Sequence, residues 1–372
     1  MNNNENRTMR LLTAFGIILI VAGHFSADYL SLGGLFPYYA FHVYIFLFVS
    51  GYFYKAEDEK NIPSFLLRKA KRLLLPYFIF NLLYGILSAI LVKAGVILVG
   101  ELNLKNLFIE PFLSGHQFMF NFPAWFVPAL FVTETINVLM RKILGLVFKK
   151  QCQVDWICFI GCLAVGIATV YFSITGHVWG YWKMPGRWLI MMFGIEFGRV
   201  FKEYIEPGLN KLLNRFGKLP SALVYFGLVG GIEYVLMLTQ NGLNFSVVWC
   251  TAFANGPVIP FVTVTTGVLW YYGISRVLCE LVPPKSRLLN PLLEVGRRSY
   301  SIMTNHIFVL FLINTVCMLL ARNNIGCAGF DFVSYASDSV YQYLYAGYHA
   351  THIINTVVCV SVPTIIAKCV VK

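Results

Sequence analysis

The feature that most constrains this chain is a series of apolar segments long enough to cross a lipid bilayer. A membrane-spanning helix needs about 20 predominantly apolar residues. Such segments occur at 10–28, 36–54, 73–99, 122–140, 155–175, 186–201, 219–239, 257–279, 299–320 and 352–369. The stretch 244–256 is interpreted either as re-entrant or as part of the eighth span. The pattern predicts an all-α, polytopic membrane protein of about ten transmembrane helices.

The composition argues against a water-soluble domain. Hydrophobic residues make up 58% of the chain and charged residues only 12%, about half the charge of an ordinary soluble domain. Residues 1–372 are therefore predicted to form a single transmembrane domain. The first apolar segment has no small-residue cleavage site after it, which predicts a retained helix and not a removed signal peptide.

Positive charge is distributed unequally between alternate loops. With the N-terminus placed in the cytoplasm, the loops on that side hold every Lys and Arg except Lys93, Lys105, Lys183, Arg187 and Arg322. Because Lys and Arg concentrate on the cytoplasmic side of membrane proteins, both termini are predicted to be cytoplasmic. The net charge of +12 then reflects topology and does not indicate nucleic-acid binding.

The nine cysteines show no spacing typical of metal ligands. Most lie in apolar segments and are interpreted as small core residues, namely Cys158, Cys162, Cys279, Cys317, Cys359 and Cys369. A disulfide framework and a metal site are not expected.

Ionisable side chains at membrane depth are the first candidates for function, because their burial in a bilayer is costly. They are His24, Asp28, His42, Glu134, Glu196, Glu233 and His306. His24 lies about 21 Å along the first helix from Arg10, in the outer half of the bilayer. Asp28 follows at i+4, where a carboxylate could orient the imidazole as a general base. Alternatively, the pair simply reaches the outer interface.

Two residues of the second segment add to this picture. His42 lies six residues into the span, at a depth similar to that of His24, which predicts a polar chamber open to the outside. Each histidine alone is more often a packing residue. Ser50, beside Gly51, is interpreted as a helix-packing serine and not as a nucleophile, because the sequence places no base next to it.

A basic cluster, Arg-Lys-Ala-Lys-Arg at 68–72, precedes the third span. It could bind anionic lipid, follow the topology rule or hold a nucleotide phosphate. Its position alone favours the topology role.

Five motifs occur in order along nearly the whole chain. They are GIILIVAGHFS, FHVYIFLFVSGYFY, RKAKRLLLPYFIFN, PAWFVPALF and GRRSYSIMTNHIFVLF. Together they resemble the membrane acyltransferase type 3 family, especially the stand-alone enzymes that modify bacterial surface polysaccharides. The resemblance implies a multi-pass protein of the bacterial inner membrane. It also implies transfer of an acyl group, commonly acetyl, from cytoplasmic acyl-CoA to a hydroxyl of an extracytoplasmic sugar or polysaccharide, without a metal.

The resemblance also implies roles for individual residues. His24 corresponds to the family's essential histidine, and Lys69 and Arg72 correspond to its paired basic residues near the donor phosphates. Further candidates for donor binding are Arg10 and Arg68. The candidates that line the substrate cavity are His42, Ser50, Trp125, Glu134 and His306, of which His306 matches the family's helix-9 histidine.

One position departs from the family pattern. An arginine usually precedes the essential histidine with ten residues between them, and that position is Thr13 here. Arg10 shares the helix face about 4.5 Å nearer the cytoplasm and could hold phosphate in its place. Lys69 stands for an arginine, which keeps the charge but loses the bidentate fork.

The predicted reaction is direct transfer, in which His24, oriented by Asp28, takes the proton of the attacking hydroxyl. A covalent acyl-histidine intermediate is an open alternative. The longest outer loops, about 100–121 and 321–351, are interpreted as lids or an acceptor-binding rim. The expected partners are the acceptor and membrane lipid, and the oligomeric state does not follow from the sequence.

Two other functions stay open at this point. A glycan or lipid transporter would use the polar chamber as a path, but transporters often show broken helices in matching halves, which this sequence lacks. A polysaccharide polymerase or ligase would need several arginines in a large outer loop, and the predicted outer loops hold almost none.

Overall fold

The computed structural model describes residues 6–24, 30–115, 118–177, 183–246, 252–327, 329–344 and 352–370. Fifteen α-helices lie in these ranges: α1 Arg7–Gly23, α2 Tyr38–Tyr52, α3 Ile62–Lys69, α4 Leu75–Lys93, α5 Glu110–Leu113, α6 Phe126–Val147, α7 Gln151–Ile174, α8 Lys183–Val200, α9 Glu206–Phe216, α10 Lys218–Thr239, α11 Ile259–Leu281, α12 Asn290–Arg297, α13 Ser299–Arg322, α14 Phe332–Ser337 and α15 His352–Val370. Short π-helical turns occupy Ala70–Leu74, Lys105–Ile109 and Phe201–Ile205, and 3-10 turns occupy Ala56–Glu59 and Met119–Trp125.

The helices match the positions of the apolar segments. Each of the ten predicted spans overlaps one long helix, namely α1, α2, α4, α6, α7, α8, α10, α11, α13 or α15. By length and hydropathy, five segments of the described chain can cross a membrane: Ile62–Lys93, Gln151–Ile174, Leu219–Thr239, Ser299–Arg322 and His352–Cys369. The nearly all-α, multi-pass architecture is thus confirmed, while the count of ten spans and the orientation stay predictions.

The stretch 244–256 is not an extension of the eighth span, because α11 begins only at Ile259. Two short antiparallel strands lie there, β1 Phe245–Ser246 and β2 Ala252–Phe253. The residues between the strands lie outside the described ranges.

Local sequence sets several helix starts. The side chain of Asn6 accepts a hydrogen bond of 3.0 Å from the Met9 amide at the start of α1. Asn61 accepts one of 3.1 Å from the Ser64 amide at the start of α3. Such caps satisfy amides that have no partner within the helix. Prolines occupy the first turns of α11 and α12, where the missing N–H does no harm.

The middle of the bundle is formed by α1, which packs against α2, α11, α12, α13 and α15. More than half of its residues are buried. In contrast, α4 and α10 expose rows of leucine, isoleucine and valine side chains. Such faces are suited to contact with lipid.

Two glycines allow α2 and α8 to approach closely. A Cβ atom added to Gly51 would lie 1.8 Å from the carbonyl oxygen of Ile195. One added to Gly198 would lie 2.0 Å from the carbonyl oxygen of Phe48. Because small residues let membrane helices pack backbone to backbone, these glycines hold the polar residues of α2 and α8 in fixed relative positions.

We expect Gly198→Ala to lower the free energy of unfolding by about 1–3 kcal/mol, because the added methyl group must push α2 and α8 apart. The matched control is Gly161→Ala on the exposed face of α7, where an added Cβ meets nothing within 4 Å. This control should be neutral or stabilising by up to about 1 kcal/mol. Thermal unfolding of both variants in detergent tests the pair, and equal midpoints would contradict the close packing.

Candidate functional site

Three histidines from α2, α13 and the end of α1 come together. The rings of His24 and His306 lie 5.1 Å apart between centroids, at an angle of 45°. His24 is also close enough to His42 to interact with it electrostatically. Tyr39 completes the cluster, because its ring lies 5.5 Å from that of His42 and its hydroxyl donates a hydrogen bond to the carbonyl of Gly23. We call these four side chains the histidine cluster.

Parallel packing of α1 and α13 explains why His24 and His306 meet. Gly296, at the end of α12, is so close to α1 that an added Cβ would lie 2.2 Å from the carbonyl oxygen of Arg10. Measured from this contact, His24 lies about 21 Å farther along α1. His306 lies about 15 Å farther along α12 and α13. Both rings therefore lie far from the basic end of α1.

The backbone fixes two of the imidazoles. Nδ1 of His306 lies 2.8 Å from the carbonyl oxygen of Ile302, and Nδ1 of His42 lies 2.5 Å from that of Tyr38. A carbonyl only accepts hydrogen bonds, so Nδ1 carries the proton in each ring and a neutral ring keeps its lone pair on Nε2. Nε2 of His306 is buried and has no hydrogen-bond partner among the described residues. It can therefore accept a proton or a hydrogen bond from a bound group.

An aromatic wall lies against the face of α13 that carries Asn305 and Phe308. The hydroxyl of Tyr84 donates a hydrogen bond of 2.6 Å to Asn305, the neighbour of His306 in sequence. The ring of Phe308 lies 5.8 Å from that of Tyr84 and 5.3 Å from that of Phe120. This wall is assembled from α4, α13 and the turn Met119–Trp125, and it was not predicted because the contributing residues lie far apart in sequence.

Trp125, a predicted cavity residue, is buried beneath the guanidinium group of Arg187, which lies 4.5 Å from its ring. Both residues are in the predicted outer part of the chain. The contact is a cation–π interaction between α8 and the turn before α6.

A second group of predicted residues meets at the other end of α2. Ser50 donates a hydrogen bond to Oε1 of Glu134, and Nζ of Lys69 lies 2.6 Å from the same oxygen. The carboxylate is buried, and its Oε2 has no partner among the described residues. The sequence could not reveal an acidic neighbour for Ser50, because Glu134 is 84 residues away. Because the same carboxylate oxygen holds both the Ser50 hydroxyl and the Lys69 ammonium group, the contact favours a positioning role for Ser50.

The cations predicted to bind the donor differ in their surroundings. Arg68 is exposed and pairs with Asp58 at 2.6 Å, and Lys69 is held by Glu134. Arg72 is exposed and makes no ion pair among the described residues. Arg10 is half-buried. At the position where the family carries an arginine, the Thr13 hydroxyl donates to the Met9 carbonyl at 2.8 Å, so it is satisfied within α1.

The predicted pair of His24 and Asp28 required one continuous helix. However, α1 ends at Gly23, and His24 is its C-cap. Asp28 lies outside the described residues. The pairing of His24 with Asp28 and the role of Asp28 therefore stay predictions.

Two other acidic residues at membrane depth have structural partners. Glu196 forms a bidentate ion pair with Arg141, with both N···O distances 2.8 Å, and Arg141 also contacts Asp155 at 2.8 Å. Glu233 is fully buried and accepts a hydrogen bond of 2.6 Å from Thr266. Neither residue contributes to the histidine cluster.

Fold and site thus define a multi-pass α-helical membrane protein in which α1, α2 and α13 bring together a histidine cluster with His42 and His306 buried. The sequence profile of the acyltransferase domain family matches residues 7–336. The chain belongs to this family, the membrane acyltransferase type 3 family, which confirms the resemblance carried by the five motifs. Comparisons with curated proteins and with solved structures found no match.

Proposed function

We propose that this membrane acyltransferase transfers an acyl group, commonly acetyl, from cytoplasmic acyl-CoA to a hydroxyl of an extracytoplasmic sugar or polysaccharide. Family membership supports acyl transfer, whereas donor, acceptor and sidedness are parts of the proposal. The observation that carries it is the contact of 5.1 Å between the rings of His24 and His306. In the proposed orientation, in the bacterial inner membrane, this contact lies in the outer half of the bilayer.

The donor is proposed to bind at the opposite end of α2. Arg72 and Arg10 are the candidates for the CoA phosphates, and Arg68 and Lys69 add positive charge beside them. Ser50 and Glu134 hold Lys69 at this end of α2, where the pantetheine arm of the donor is proposed to enter. His42 lies about 12 Å farther along α2 than Ser50, a distance that the extended pantetheine arm can cover.

At the histidine cluster, the acceptor hydroxyl attacks the carbonyl carbon of the thioester. The new C–O bond forms, the C–S bond breaks, and the proton of the hydroxyl passes through an imidazole to the departing thiolate. His24 is the proposed base. His306 contacts His24 and keeps Nε2 available through its bond to Ile302, so it positions His24 or shares the proton. Direct transfer is proposed, and the mechanism requires no metal.

Mass spectrometry of surface glycans from a deletion strain tests this function. We expect each repeat to lose the mass of one acyl group, and re-expression of the wild-type chain to restore it. Glycan that is acylated as before would refute the proposal. Shortened or absent polymer would instead favour export or polymerisation, although no contact among the described residues supports a transporter.

The proposed sidedness can be tested with reporter fusions. Fusions within 57–60 and at 285 should report the cytoplasm, because the adjoining segments carry most of the Lys and Arg residues. Fusions near 116 and 335 should report the outside. A cytoplasmic signal at 116 would contradict the helix count and the depth assigned to the histidines.

Charge reversal of Arg72 tests the donor site. We expect Arg72→Glu to weaken acyl-CoA binding at least about tenfold, since a hydrogen bond to a charged group contributes about 1.5–3 kcal/mol. Protein level should be unaffected because the side chain is exposed. Lys71→Glu is the matched control, because it changes the same charge on an exposed neighbour that is not assigned to the donor. If Arg72→Glu binds acyl-CoA as tightly as Lys71→Glu does, the proposed donor contact is wrong and the basic cluster 68–72 serves topology alone.

A further inference from the structure

Two cysteines at the end of α13 lie side by side and have no part in the proposed mechanism. Cys317 is on α13, five residues before the helix ends, and Cys327 is in the loop that follows. Their side chains lie close enough to interact with each other. Both are half-buried free thiols. Two thiols in contact are the starting geometry for a disulfide, which requires adjacent β-carbons.

The loop is shaped to bring Cys327 back to the helix. Asn324, Gly326 and Cys327 have positive φ angles of 55°, 127° and 53°. Positive φ is uncommon for residues other than glycine, so the turn is tight and specific. The amide of Ile325 donates a hydrogen bond of 3.0 Å to the carbonyl of Leu320, which closes the chain onto the last turn of α13.

The segment after this turn, residues 329–344, packs back on the bundle. The side-chain amide of Asn314 on α13 donates to the carbonyl of Tyr341 at 2.5 Å. Gln342 donates to the carbonyl of Val96 at 3.0 Å and accepts from the amide of Leu98 at 3.1 Å. Tyr343 packs against the aromatic wall that contains Tyr84 and Phe120. The segment is therefore anchored both to α13 and to the residues that follow α4.

We propose that Cys317 and Cys327 form a disulfide that ties residues 329–344 to α13. This rests on the proposed orientation, which places this end of α13 on the oxidising side of the membrane, where disulfides persist. The two thiols lose two protons and two electrons as the S–S bond forms. The electrons pass by thiol–disulfide exchange to the disulfide of a thiol oxidoreductase, which becomes a dithiol. The bond fixes this segment, whose Tyr343 lies close enough to Tyr39 of the histidine cluster to interact with it electrostatically.

The test uses the full chain, purified in detergent without reductant and incubated with oxidised glutathione. Remaining thiols are then alkylated with N-ethylmaleimide and the peptides are mapped by mass spectrometry. We expect a peptide that links Cys317 to Cys327, lighter than the two reduced peptides by two hydrogen atoms. The exposed Cys152 and Cys369 should not join that linkage. In Cys327→Ser, the linked peptide should be lost and Cys317 should be alkylated or carry glutathione.

Full alkylation of both thiols in the wild-type chain, or separate glutathione adducts on each, would overturn the proposal. The same mapping on cells alkylated before lysis tests whether the bond exists in the membrane, and a reduced pair there would also overturn it. Neither result depends on acyl transfer, which the glycan masses report separately. The fusion at 335 reports sidedness, so failure of the orientation is distinguishable from failure of the disulfide.

Discussion

His24→Asn is expected to lower acyl transfer by about 10²–10⁴-fold, the usual contribution of a general base. Asparagine keeps much of the shape and the hydrogen-bonding capacity of the side chain, but it takes up no proton. The variant should still insert and bind acyl-CoA, since His24 is proposed to act on the acceptor and the thioester and not on the phosphates. Purified protein in detergent, assayed for transfer to a sugar acceptor, provides the measurement.

The neighbouring histidines supply the controls. His42→Asn changes the same chemical group in the same cluster, but its Nδ1 is engaged with Tyr38 and its ring faces Tyr39, so a smaller loss is expected. His306→Asn should lower the rate and change its dependence on pH, because the ring that contacts His24 is removed. Wild-type turnover by His24→Asn would eliminate His24 as the general base.

Hydropathy was sufficient to place the helices but not to pair them. Each predicted span overlaps a long helix because the requirement for apolar length acts locally. Counting residues from the membrane surfaces also predicts a similar depth for His24 and His42. His306 could not be assigned to the same group in this way, because its position depends on the close contact of Gly296 with the backbone of α1.

Arg141 shows a second limit of the sequence. The sequence assigns it to a cytoplasmic loop because it follows the predicted fourth span, but α6 continues to Val147. The charge rule counts where a cation lies along the chain and does not report which way it faces. In the structure Arg141 faces α7 and α8, where it is fully buried with Asp155 and Glu196. The Lys69–Glu134 pair escaped prediction for the same reason.

Removal of the Arg141 side-chain charge should have the largest effect on stability of the changes considered. Arg141 is 0% exposed and is the partner of two buried carboxylates, those of Glu196 and Asp155. Arg141→Met preserves much of the volume but leaves both negative charges without this partner. Loss of one member of a buried ion pair typically costs about 3–5 kcal/mol. We therefore expect a large drop in the thermal midpoint of the detergent-solubilised protein, or loss of folded protein altogether.

Two further variants test whether the loss of stability comes from the unpaired carboxylates or from the loss of any arginine side chain. Arg276→Met removes a partly exposed i,i+4 pair with Glu280, at 3.0 Å, and should cost only about 0.3–0.5 kcal/mol. The triple variant Arg141→Met, Asp155→Asn, Glu196→Gln removes the buried charges together. Because the penalty arises from uncompensated charge, the triple variant should be more stable than Arg141→Met alone. If instead the two are equally unstable, the packing of the arginine side chain, and not its charge, holds α6 against α7 and α8.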